Sequence, residues 1–155
     1  MPKRSRAETK QTIEQITAAA LQQMLNMGYD AMSYSTLSQA TGISRTGISH
    51  HFPYKADFLT LLEPKLGALL IEDLDFSSAE LLQESWLYAL ETPQFSAIIK
   101  LFFAICGSNQ LNTAQYKTLT LLHDKVAVEF GEPGRTTVDT LLGKSAIFLF
   151  KQNRQ

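Results

Sequence analysis

The residues best suited to chemistry with another molecule stand together as Ser44-Arg45-Thr46-Gly47-Ile48-Ser49-His50-His51. The guanidinium of Arg45 offers a planar fork of N–H donors that matches the O6 and N7 acceptors of guanine in a major groove, and the short hydroxyls of Thr46 and Ser49 permit close approach to base edges. Ile43, Ile48 and Phe52 are spaced so as to turn toward an interior, which leaves Arg45, Thr46, Ser49 and His50 facing outward. The plain alternative is that His50 and His51 are packing residues and Arg45 a solvated surface charge, since short motifs often arise by chance.

Helices are required to hold these side chains. From Ala7 to Met27 the apolar residues Ile13, Ile16, Ala20, Met24 and Met27 recur at helical spacing, and Gly28 supplies a stop. Ser33 or Ser35 can cap a short second helix running through Gln39, followed by the tight turn Thr41-Gly42-Ile43. Ser44 caps a third helix, Arg45 to about Phe52, which Pro53 ends. Two short helices joined by a glycine-containing turn make a helix-turn-helix, whose second helix enters the major groove.

A fourth helix opens at Lys55 and runs toward Leu62. Pro64 cannot donate a helical hydrogen bond, so the helix is expected to kink or restart there, with a hinge near Glu63. Beyond Phe76 the pattern predicts helices over about 78–91, 94–106, 113–130 and 135–152, separated by Thr92-Pro93, Gly107-Ser108-Asn109 and Gly131-Glu132-Pro133-Gly134. The basic tip, residues 1–6, is expected to be disordered. The fold class is all-α: a three-helix head over residues 1–55 and a helical body over 56–155.

Over residues 7–62 the sequence resembles the TetR family of repressors. The resemblance is carried by Gly42-Ile43-Ser44-Arg45, by His51-Phe52-Pro53-Tyr54-Lys55 and by Leu59. It implies base-edge contacts from Arg45, Thr46 and Ser49, with Ser35 at the start of helix two, and phosphate contacts from Ser33, Gly47, His50, His51 and Lys55. It further implies a homodimer on a palindromic operator in double-stranded DNA, a repressor's role, and release by a small apolar or aromatic inducer. The sequence also departs from the family's pattern. Thr46-Gly47-Ile48-Ser49 stands where the family usually has Gly-Thr-Leu-Tyr, which removes a hydroxyl at 47 and an aromatic ring at 49. That departure motivates a second reading, a dimer that no longer reads DNA and instead binds another regulatory protein.

Charge distribution favours the first reading. The net charge is −1, yet residues 1–55 carry six Lys and Arg against three Asp and Glu, while the remaining 100 carry eight against twelve. A basic head on an acidic body orients the molecule toward a polyanion. The single cysteine, Cys106, excludes an intramolecular disulfide and a cysteine-based zinc site. An N-terminus without an apolar signal core, and the absence of a run of roughly 20 apolar residues, point to a cytoplasmic protein without a membrane partner.

In the body, Trp86, Phe102, Phe103, Tyr116 and His123 are the candidate lining of an inducer site, with ordinary core packing as the alternative. Leu119, Leu122, Val126 and Phe130 on one helix, with Leu142, Phe148 and Leu149 on the last, are the candidate dimer interface. His123 and Asp124 are adjacent and so point about 100° apart on a helix. No nucleophile, cofactor or metal constellation accompanies them, and no enzymatic activity is expected.

Overall fold

A computed structural model describes residues 5–109 and 116–154, and among these all regular structure is helical. The helices are α1 (Arg6–Asn26), α2 (Tyr34–Thr41), α3 (Arg45–His51), α4 (Lys55–Glu72), α5 (Ala79–Leu90), α6 (Pro93–Cys106), α7 (Thr118–Phe130) and α8 (Glu132–Gln152). The chain divides into two compact units, Met1–Leu62 and Glu63–Gln155, with the division inside α4.

In the first unit α1 starts earlier than the basic tip suggests. Ser5 and Glu8 form a reciprocal capping box, the Ser5 hydroxyl accepting from the Glu8 N–H at 3.2 Å and the Glu8 carboxylate from the Ser5 N–H at 2.6 Å. Ser5 and Arg6 are therefore structured, and the rest of the expected disordered tip lies outside the described residues. Ile16, Ala20 and Met24 are buried, whereas Met27 is the C-cap and stays half exposed. Ser33 rather than Ser35 caps α2. That helix continues past Gln39 to Thr41 because Gly42, at φ +72°, supplies the left-handed residue that ends it. The core is closed by Leu37, Ile48, Phe52 and the first two turns of α4, where Phe58 stacks on Phe52 at 4.4 Å between ring centroids. This packing makes the unit extend beyond residue 55.

The second unit contains the rest of α4 and α5 to α8. The expected restart at Pro64 does not occur: α4 runs through it to Glu72, with Leu62, Leu66 and Leu70 buried on one face. Pro64 is exposed, and burial on the opposite side holds the helix together across the lost hydrogen bond. Trp86 and Phe95 pack edge to face at 5.3 Å, and the buried indole N–H donates to Ser145 Oγ at 2.8 Å. Ser145 in turn donates to the Leu141 carbonyl, so α5 is pinned to α8 by a fully paired polar contact.

The expected loop Gly131–Gly134 is a single-residue break. Gly131 adopts φ +67°, ψ −159°, a conformation nearly confined to glycine, and α8 begins at once with Pro133 in its first turn. Gly134 then lies within α8, where a Cβ would come 2.6 Å from the Val126 carbonyl oxygen of α7. For α7 the expected start at 113 falls outside the described residues, and Tyr116 and Lys117 precede the helix. Among the described residues no single helix is long and apolar enough to cross a membrane.

These contacts set measurable costs. Gly134→Ala should destabilise the protein in urea unfolding by about 1–3 kcal/mol through overpacking, and Ser145→Ala by about 1–3 kcal/mol by leaving the indole N–H unpaired. Gly143, which has open space around its Cβ position, is the control: Gly143→Ala should be stabilising by about 1 kcal/mol.

Candidate nucleic-acid interface

α3 is capped at its start by Ser44, whose hydroxyl accepts from the Gly47 N–H at 3.1 Å. Its inner side is Ile48, fully buried, and Phe52 just past its end. The outer side presents Arg45, Thr46 and His50 to solvent, with Gly47, Ser49 and His51 half-buried. The Ser49 hydroxyl donates to the Thr46 carbonyl at 3.1 Å, so its proton is engaged within the helix and lone pairs remain for an external donor. The His50 and His51 rings meet edge to face at 5.2 Å between centroids. A side chain at position 47 would press on Ile43 Cγ2 at 3.1 Å and on the capping Ser44 Oγ at 3.2 Å. Glycine at 47 therefore leaves the cap undisturbed and the face of α3 low.

α2 is built to hold α3. The Ser33 hydroxyl accepts from the Thr36 N–H at 3.1 Å, and the Thr36 hydroxyl accepts from the Ser33 N–H at 2.9 Å. Gln23 of α1 reaches across to Thr36 with its amide N–H on the carbonyl and its amide oxygen 2.6 Å from the hydroxyl. Tyr34 donates to the Phe52 carbonyl at 2.7 Å, tying α2 to the end of α3. Ser33 thus serves as a cap, while Ser35 is exposed on the first turn of α2.

Lys55, at the start of α4, donates to the Asp30 carbonyl at 3.2 Å and lies over the Tyr29 ring at 4.4 Å. Partial burial draws its pKa below the usual lysine range, with the Asp30 charge opposing. Asp57 accepts from the Tyr54 N–H at 2.8 Å, satisfying a free donor ahead of α4. Tyr54 itself is 73% exposed.

A family model described as bacterial regulatory proteins, tetR family, matches residues 16–62, and one described as tetracycline repressor LuxT C-terminal domain matches residues 63–149. The chain belongs to the TetR family. The two matches meet between Leu62 and Glu63, where the compact units also divide. No curated protein matches the chain. With both TetR-family domains present and an all-helical fold, the protein is a DNA-binding transcriptional regulator with a helix-turn-helix head.

Within this TetR-family body the candidate ligand residues do not form one group. Phe102, Phe103 and Tyr116 cluster, with centroids 5.4 Å apart for the first pair and 6.1 Å for Phe102 and Tyr116. Burial pushes the Tyr116 phenol far above its ordinary pKa; a hydrogen bond with Thr118 opposes the shift, and Glu63 and Cys106 add to it. Trp86 is committed to Phe95 and Ser145 in the core, and His123 of α7 pairs with Asp139 of α8 at 2.8 Å. Of the candidate dimer residues, Leu122, Val126 and Leu149 are buried within their own unit, and Leu119, Phe130, Leu142 and Phe148 are half-buried. The most exposed apolar side chains of α7 and α8 are Leu121, Val128, Ile147 and Phe150.

Sequence reasoning overlooked Gln23, Tyr34 and Tyr54. Gln23 carries a legible signal, a polar residue seven places from Ile16 and three from Ala20 on a face otherwise apolar. Tyr34→Phe tests the brace: it should cost about 1 kcal/mol in unfolding and speed hydrogen exchange of the α3 amides relative to those of α1.

Proposed function

We propose that this TetR-family regulator is a repressor that binds a palindromic operator as a homodimer, with α3 in the major groove. The outward face of α3 carries the reading. The side chains of Arg45 and Thr46 project from its first turn over a buried Ile48 that fixes which way they face. Arg45 is assigned to a guanine edge, Thr46 and Ser49 to adjacent bases, and Ser35, Gly47, His50 and His51 to the surrounding backbone. Lys55 and Tyr54 flank the start of α4, where a phosphate would meet its free N–H groups. The repressor's role is supported by the match of the body, residues 63–149, to the tetracycline repressor LuxT C-terminal domain family.

Dimerisation through α7 and α8 accounts for the apolar side chains these helices leave in water, Val128 at 84% exposure foremost. Symmetric half-sites about 34–36 Å apart require two heads. An inducer would bind at the Phe102, Phe103 and Tyr116 cluster and act by moving α4. Pairing with another regulatory protein is the competing reading, motivated by Gly47 and Ser49.

Selection from a random duplex library at near-physiological salt distinguishes the two. A palindrome should be enriched, and Arg45→Ala should weaken it by about 1–3 kcal/mol, roughly 5- to 150-fold, with relaxed preference at one position of each half-site. No enrichment from a folded dimer would refute operator binding and direct attention to a protein partner. Val128→Glu should shift sedimentation from dimer to monomer.

A further inference from the structure

The first residue of the second unit, Glu63, is a carboxylate only 4% exposed, an expensive place for a charge. Among the described residues the ion pairs join Lys10 to Glu14, His123 to Asp139, and Arg135 to Asp124 and Glu132, so none involves Glu63. Its partner is a hydroxyl: Thr118 Oγ1 donates to Glu63 Oε1 at 2.6 Å, and Thr118 is 1% exposed.

The location gives the bond its meaning. Thr118 is the first residue of α7, whose start has no side-chain cap of its own. The Glu63 carboxylate thus stands at an uncapped helix N-terminus, where negative charge is favoured. One turn further along α4, Gly67 leaves the backbone bare, and a Cβ there would lie 2.8 Å from Thr118 Oγ1. Thr118 is seated flush on α4, against Glu63 on one turn and Gly67 on the next.

A buried bond of this kind is not loosened gradually, because separation strands both partners away from water. α4 is also the helix that contributes Phe58, Leu59 and Leu62 to the DNA-binding head. We propose that the Glu63–Thr118 hydrogen bond is the latch by which the body holds α4, making both side chains positioning residues for DNA recognition. The proposal rests on the DNA-binding reading and adds the contact through which the body governs it. A displacement of the first turn of α7 would release α4, whereas events elsewhere in the body would leave it held.

Thr118→Val, nearly isosteric and lacking the donor, tests the latch in the full-length chain, with Thr118→Ser as the variant that restores the hydroxyl. Operator affinity is measured on the selected palindrome and on one lengthened by one base pair between half-sites. Wild type and Thr118→Ser should lose about tenfold or more on the longer site, and Thr118→Val about threefold or less, because a released α4 tolerates altered spacing. An equal loss at both spacings, or wild-type discrimination in Thr118→Val, overturns the proposal, since simple destabilisation lowers both affinities alike.

Hydrogen exchange of the same proteins without DNA provides the second arm. Thr118→Val should speed exchange in α4 beyond Glu63 and in the first turn of α7 together, and leave α5 and α8 unchanged. If wild type selects no palindrome, the DNA-binding reading fails and this arm decides the latch by itself, with unchanged protection in α4 refuting it.

Discussion

A helix of seven residues has little stability of its own, because nucleation costs more than so few hydrogen bonds return. α3 exists because Ile48 and Phe52 are buried beneath it, with Phe52 stacked on Phe58 at the start of α4. That burial has a directional result. Once Ile48 is inside, the period of the helix leaves no choice about where Arg45, Thr46 and His50 point. The polar brace of Gln23, Thr36, Ser33 and Tyr34 then holds α2 and the end of α3 in register, using hydrogen bonds that are paired at both ends. The outward surface of α3 is therefore a consequence of core packing on its reverse side.

The head was legible because its punctuation is strong. Ser33, Gly42, Ser44 and Pro53 mark caps and stops by mechanisms local to a few residues, and the structure uses them in those roles. Boundaries failed where a distant contact outweighed a local preference. Pro64 looked like a break, but burial of Leu62, Leu66 and Leu70 carries α4 through it. Gly131 to Gly134 looked like a loop, but Gly134 is required for the close approach of α8 to the Val126 carbonyl, a fact of tertiary packing that composition does not contain.

The same distinction explains the body's candidate residues. An apolar period identifies a buried face without saying what buries it, so Leu122 and Val126 were indistinguishable from interface residues until α8 was seen against them. The aromatic pattern gave no indication that Trp86 would join the core while Phe102, Phe103 and Tyr116 gathered apart from it. Glu63 was visible only as the neighbour of a proline. Its burial depends on Thr118, more than fifty residues away.

Lys55 shows how the head prepares a cation before any partner arrives. A free lysine side chain samples many rotamers and surrenders up to about 2 kcal/mol of that freedom when it is immobilised. Here the Asp30 carbonyl and the Tyr29 ring already confine it, so much of that entropy is lost on folding. An ammonium has three N–H bonds, and the carbonyl takes one. The remaining donors are thus held in place as part of a rigid surface, and a phosphate meeting them would find a fixed template instead of a mobile tether.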